Sequence, residues 1–323
     1  MTSLSPRPDA ASTGSGAAHV LRGTDLGAEA IRGILAEAAD LKAALRRDPA
    51  ATCSLLRGRS LVMLFEKPSL RTRVSFEIGM AKLGGTAVHL DHRAERLGVR
   101  ESVADYARNL ERWCDVVVAR VFEHATLEQL AEASSVPVVN ALSERFHPCQ
   151  ALADLLTLAE HGRPLGEASI AFVGDGNNVC HSLMETVALL GGRFVAITPE
   201  SCRPDAQTLA ECREIAAASG AEILWSEDPA AVSGADAIYT DAWISMGQTD
   251  AQEKRTQLEP YRVDPALMRK AGSQALFMHC LPAHRGEEVL DEVIDSPASV
   301  VYDQAENRMH AQNALLVHLI GRG

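Results

Sequence analysis

Ser60-Leu61-Val62-Met63-Leu64-Phe65-Glu66-Lys67-Pro68-Ser69-Leu70-Arg71-Thr72-Arg73 is the stretch on which the fold turns. Ser60–Glu66 is a short, near-continuous apolar run, which is how a strand covered on both faces reads. Pro68 and Ser69 then open a helix. A buried strand running straight into a helix is the repeating unit of a parallel sheet with right-handed crossovers.

The same rhythm extends outward on both sides. Before it, Asp25–Leu45 has apolar residues at helical spacing, broken near Asp48-Pro49. Further strands are expected at Gly85–Asp91, Asp115–Phe122 and Val136–Leu142. A second set is expected at Ala168–Gly174, Arg193–Thr198, Ala221–Ser226, Ala235–Thr240, Ala275–His279 and Val300–Tyr302. Ten strands exceed one compact sheet for a chain of 323 residues, so they divide into four and six. The join falls near His147–His161, itself a strong helix with Pro148 suited to its first turn. A last helix is expected from Ala305 to Ile320. The fold class is therefore α/β: two doubly wound parallel-sheet domains with a cleft between them, joined by helices.

Composition sets limits on function. Lys plus Arg is 31 and Asp plus Glu is 43, a formal charge of −12, which argues against nucleic acid or a membrane surface as partner. Aromatics are 4%, too few for base-stacking platforms. The 7 cysteines include no CxxC pair, which fits reduced thiols in a cytoplasmic protein rather than a disulfide or zinc framework. No apolar run approaches the roughly 18 residues of a membrane span. Met1–Ala18, rich in Ser, Ala, Pro, Gly and Thr, reads as a tail.

Open parallel sheets bind ligands where strands run out into helices, and the polar motifs fall at such places. Ser69, Arg71, Thr72 and Arg73 stand at a helix start, where backbone amides and guanidinium forks suit an anion. Their plain reading is a capped helix whose arginines pair with Glu77 or Glu66. Arg120 ends the strand Asp115–Phe122. His147-Pro148-Cys149-Gln150 sets a histidine beside an amide. Gly174-Asp175-Gly176-Asn177-Asn178-Val179 lacks the third glycine of a dinucleotide fingerprint, since Val179 stands there. Its asparagines suit a carboxylate or amino group. Asp241 ends a strand and can pair with an ammonium, and the polar stretch after Gly247 reads as a flap. Cys280 ends another strand before Pro282, and Arg308 lies in the last helix. Each alone also fits a turn, a cap, a buried thiol or a surface ion pair. Together, spread over both halves, they describe a two-domain cleft enzyme.

Ser69-Leu70-Arg71-Thr72-Arg73, His147-Pro148-Cys149-Gln150, Asp241-Ala242-Trp243-Ile244-Ser245-Met246-Gly247 and His279-Cys280-Leu281-Pro282 stand in the order seen in the carbamoyltransferases. The last two resemble the ornithine rather than the aspartate branch, and the similarity runs from about Leu21 to the C-terminus. The resemblance implies a carbamoyl-phosphate domain (19–148 plus 304–323, the terminal helix returning to it) and an ornithine domain (149–303), after a tail at 1–18. It implies a homotrimer or an assembly of trimers, with each active site at a subunit boundary. It implies that Ser69, Leu70, Arg71, Thr72 and Arg120 hold the phosphate and carbamoyl oxygens. His147, Gln150 and Arg308 would hold the carbamoyl group, and the Cys280–Leu281 segment its NH₂. Asn178, Asp241, Ser245 and Met246 would bind ornithine. No metal and no cofactor are implied.

Two positions depart from the family pattern. Leu70 stands where Thr is usual, which a backbone contact tolerates. Arg96, before Leu97-Gly98, stands where a Gln often reaches into the neighbouring subunit's site. The expected reaction gives citrulline and phosphate, a step of arginine biosynthesis. Rival readings are transfer to another amine, such as putrescine, lysine or an acylated ornithine, and a nicotinamide-dependent dehydrogenase.

Overall fold

The computed structural model describes residues 18–244 and 251–321. The expected tail before residue 18, and Ser245, Met246 and Gly247, lie outside the described residues.

In chain order the first half runs α1 (Gly27–Arg47), β1 (Ser60–Phe65), α2 (Leu70–Lys82), β2 (Thr86–Asp91), α3 (Val103–Leu110), β3 (Val116–Arg120), α4 (His124–Glu132) and β4 (Val138–Leu142). Helix α5 (Pro148–Glu160) follows, with Pro148 in its first turn as expected. The second half runs β5 (Ser169–Val173), α6 (Asn178–Leu190), β6 (Arg193–Ile197), α7 (Ala206–Ser219), β7 (Glu222–Ser226), β8 (Ala237–Thr240), α8 (Ala251–Leu258), α9 (Pro265–Ala271), β9 (Leu276–His279), α10 (Asp291–Ile294) and α11 (Val301–Ile320).

Two parallel sheets result, with strand orders β2-β1-β3-β4 and β7-β6-β5-β8-β9. Strands β1, β3 and β5 are buried almost throughout, as their apolar runs require, whereas edge strand β2 is half exposed. In each sheet the chain reverses its winding once: between β1 and β3 in the first, and between β5 and β8 in the second. At such points adjacent loops part and open a crevice at the strand ends.

The second sheet has five strands, not six. Val300–Tyr302 is β-rich, but Ser299 makes only an isolated bridge to Phe277, and Val301 already begins α11. Asp303 falls in that helix's first turn, where the dipole favours it. The terminal helix thus starts one turn before the expected Ala305. It packs on α5, α1 and α2 and is buried along most of its length, though much of its buried face is polar.

Candidate active site

The crevices of the two sheets open into one cavity of about 1080 Å³. The first sheet supplies its cationic wall. Ser69 caps α2: its hydroxyl accepts from the Thr72 amide at 3.3 Å and donates to Thr72 Oγ1 at 2.9 Å. Leu70 is 76% exposed and lines the cavity. Arg71 is half-buried and lines the cavity. Arg73 does not. It pairs with Glu77 at 2.9 Å on the exposed face of α2, so only one arginine of the motif faces the cleft.

Arg120 ends β3 and is buried, its Nε without a hydrogen-bond partner. Burial and the positive charges of Arg308 and Arg71 hold its guanidinium down to about 10. Arg308 reaches the same wall from α11. Its Nη1 donates to Gln150 Oε1 at 2.7 Å and its Nη2 to Thr72 Oγ1 at 3.3 Å. His147, at the N-cap of α5, is buried with Nδ1 unpartnered, while its backbone N–H donates to Ser182 Oγ at 2.7 Å. Burial, then Arg308 and Arg120, push this imidazole well below its usual range, so it is neutral at pH 7.

The second sheet supplies the opposite wall. Asp241, after β8, accepts from Asn177 Nδ2 at 2.7 Å, from the Ala242 amide at 2.8 Å and from the Cys280 thiol at 2.9 Å. Asn177 also caps α6. Asn178 donates to the Ser143 carbonyl at 2.6 Å and lines the cavity. Burial, and then the Asp241 carboxylate, raise the Cys280 thiol well above its ordinary range, so it keeps its proton.

The Cys280–Leu281 segment turns sharply, with Leu281 at φ 57° before a cis peptide to Pro282. The Leu281 amide donates to His279 Nδ1 at 2.8 Å, which leaves the ring proton on Nε2, 3.2 Å from Glu288 Oε1. Neither the Cys280 nor the Leu281 carbonyl accepts a hydrogen bond from another described residue. Donor atoms of Asp241, His279 and Cys280 lie within 4.8 Å of one another. Their hydrogen bonds are to protein groups, which accounts for the cluster without an ion.

Arg96 stands apart from this cavity. It is exposed, stacked 4.1 Å from the Phe122 ring centroid and 3.5 Å from Glu123. Several functional candidates carried no recognisable sequence signal. Lys67 lines the cleft and stacks 4.4 Å from the Phe122 centroid. Lys254 pairs with Asp175 at 2.8 Å, and both line the cavity. Asp154 lies beneath Gln150. Asn177 donates to Asp241, whereas its neighbour Asn178 donates to the Ser143 carbonyl; the paired asparagines pointed to the spot but not to which of them bonds Asp241.

The chain matches two family models: the aspartate/ornithine carbamoyltransferase carbamoyl-P binding domain over residues 18–160, and the Asp/Orn binding domain over residues 166–319. The chain belongs to the aspartate/ornithine carbamoyltransferase family. It is 54% identical over 276 residues to an ornithine carbamoyltransferase of Shewanella oneidensis, covering 85% of this chain and 91% of that one. It is 51% identical over 269 residues to that of Pyrococcus horikoshii, covering 83% and 85%. Among solved structures, ornithine carbamoyltransferase from Pyrococcus furiosus superposes with a TM-score of 0.91 at 47% identity, covering 95% of this chain and 98% of that chain. Membership agrees with the two-sheet architecture and with the missing dinucleotide glycine, and it sets aside the dehydrogenase reading.

Proposed function

We propose that this chain transfers the carbamoyl group of carbamoyl phosphate to the δ-amine of L-ornithine, giving L-citrulline and phosphate in arginine biosynthesis. The neutral amine attacks the carbamoyl carbon, a C–N bond forms, the C–O bond to phosphate breaks, and the amine loses a proton. The observation that carries this reading is the polarity of the cleft. Arg71, Arg120 and Arg308 line it from the first sheet and the terminal helix, opposite Asp241 and the asparagines of the second.

In this reading Ser69, the Leu70 backbone, Arg71, Thr72 and Arg120 bind the phosphate. Arg71, Arg120, Arg308 and the neutral His147 stabilise charge growing on the carbonyl and phosphate oxygens. Gln150 and the free carbonyls at Cys280 and Leu281 take the carbamoyl group. Asn178 and Asp241, with Ser245 and Met246, take the amino-acid head group. Because the Cys280 thiol keeps its proton and donates a hydrogen bond to Asp241, we assign it an orienting part rather than that of a base.

The proposed division is 19–148 plus 304–323 for carbamoyl phosphate and 149–303 for ornithine; the packing of α11 on α1 and α2 supports it. A homotrimer or an assembly of trimers is proposed on a different ground. Leu70, Val74 and Ile78 form an exposed apolar stripe at helical spacing on α2, and Val88 on edge strand β2 is exposed as well. Arg96 is assigned to the neighbouring subunit's site. No helix among the described residues is long and apolar enough to cross a membrane, and a cytoplasmic location is proposed.

A panel of amines offered with labelled carbamoyl phosphate tests the reading. Ornithine should give labelled citrulline. Faster product from putrescine, lysine or an acylated ornithine would replace ornithine as the substrate.

A further inference from the structure

Two helices meet beneath the cleft floor. Helix α5 presents Gln150 and Asp154, one turn apart, to Gln304 and Arg308, one turn apart on α11, and all four are buried. Gln150 Nε2 donates to Asp154 Oδ1 at 2.7 Å, and Gln304 Nε2 donates to the same oxygen at 2.9 Å. A carboxylate has no proton to give, so each glutamine must turn its NH₂ toward Asp154 and its carbonyl away. The Gln150 carbonyl then faces Arg308 Nη1 at 2.7 Å. The Gln304 carbonyl faces the backbone N–H of His279 at 2.9 Å, the last residue of β9 before Cys280. Asp154 itself does not line the cavity.

We propose that Asp154 is a positioning residue of the active site, fixing the polarity of both glutamine amides so that Arg308 and the Cys280–Leu281 segment are held in one register. The inference rests on the carbamoyl-transfer reading and adds to it a residue that touches no substrate. An inverted Gln150 would aim its NH₂ at Arg308, donor against donor. An inverted Gln304 would do the same to the His279 amide. The two half-sites, from different sheets, thus hang on one carboxylate oxygen. Burial pushes the Asp154 carboxyl up to about 6, opposed by its bonds from Gln304 and Gln150, by Tyr239 and by Arg308. Oδ2 of this carboxyl has no hydrogen-bond partner among the described residues, so a proton settles there and removes the charge that draws both NH₂ groups to Oδ1, weakening the lock.

The test uses the full-length chain with Asp154→Asn and Asp154→Ala, each first checked for a cooperative thermal transition. Asn has nearly the same shape but neither charge nor titration. For Asp154→Ala, which removes the shared acceptor, we expect kcat to fall about 10²-fold, as misplacement of reacting groups does, with a smaller change in ornithine KM, and for Asp154→Asn, whose Oδ1 still accepts, a smaller fall. The wild-type log kcat should fall with a slope of about one from the amine's own ionisation, steepening to about two below roughly pH 6. Asp154→Asn should keep a slope of about one throughout. A variant with wild-type kcat and the wild-type break near pH 6 overturns the proposal. A second readout does not need turnover: Asp154→Ala should speed hydrogen exchange at the His279 amide at least about tenfold. Unchanged exchange there overturns it as well. If wild type forms no citrulline, the functional reading fails, and the exchange arm still decides the role of Asp154.

Discussion

Replacing Arg120 by methionine separates what this residue does for folding from what it does for turnover. Arg120 is 8% exposed, its Nε has no partner, and it stands beside the positive charges of Arg308 and Arg71. Burial and those charges bring its pKa from 12.5 to about 10. It is still charged at pH 7, so the unliganded protein bears the whole electrostatic cost, about 3 kcal/mol by linkage. The sign follows: a base whose pKa is lowered on folding destabilises the folded state wherever it stays charged. Methionine fills similar space without charge, so Arg120→Met should be more stable than wild type by about 1–3 kcal/mol in urea unfolding at pH 7. Citrulline formation should fall by at least about 10²–10³ in kcat/KM, the usual loss for one donor to developing negative charge. Inorganic phosphate gives a second measurement. At about a hundredfold over its Kd it should stabilise wild type by about 2.7 kcal/mol, and the variant by much less at the same concentration. A variant less stable than wild type refutes the repulsion argument. A variant that keeps the full phosphate response refutes the phosphate assignment.

Three further outcomes are expected. Arg71→Ala should melt like wild type, since Arg71 is half-buried and in no ion pair among the described residues, yet lose about 10²–10³ in kcat/KM; near-normal turnover removes it from the phosphate site. Cys280→Ser should keep the wild-type pH profile between about pH 6 and 9, because a hydroxyl, like the protonated thiol, donates to Asp241; loss of the alkaline rise would give the thiolate a part. Glu185, buried between Arg22 and the Gly23 amide, has its carboxyl raised to about 7 by burial, only partly offset by Arg22. Its ionisation therefore costs stability as pH rises from 4.5 to about 7. Glu185→Gln should gain on wild type over that range in urea unfolding, and a pH-independent difference contradicts this.

What was legible in the sequence and what was not divides along physical lines. Strands covered on both faces announce themselves as apolar runs, and the motifs follow because ligand loops sit at strand ends. Arg73 shows a local rule that decides between readings. Two residues along a helix is more than half a turn, so Arg71 and Arg73 cannot share a face, and Glu77 stands four residues on to pair with the second. Val300–Tyr302 has strand composition, but composition does not say that β9 gains only a single bridge there. Asp154 is one turn from Gln150, yet its meaning depends on Gln304 and Arg308, which the topology brings from the far end of the chain. The same holds for Arg120 beside Arg308: each alone reads as a surface residue, and only their approach reveals the anion site.

The electrostatics of the cleft also constrain where the amine's proton goes. The chain carries a net −12, but the first wall concentrates arginines, and burial, then the charges of Arg308 and Arg120, keep His147 neutral with a proton affinity too low for a base at pH 7. On the other wall the thiol of Cys280 is protonated, and Asp241 is already engaged by Asn177, Ala242 and Cys280. Neither His147 nor Cys280 is poised as a general base near neutrality. The arrangement instead selects an amine that arrives deprotonated and stabilises what forms after attack. Turnover at saturating carbamoyl phosphate should then rise with pH along the titration of the amine itself. That rise should persist in Cys280→Ser and in His147→Asn, however far their rates fall. An alkaline rise abolished by either substitution would place the base on the protein.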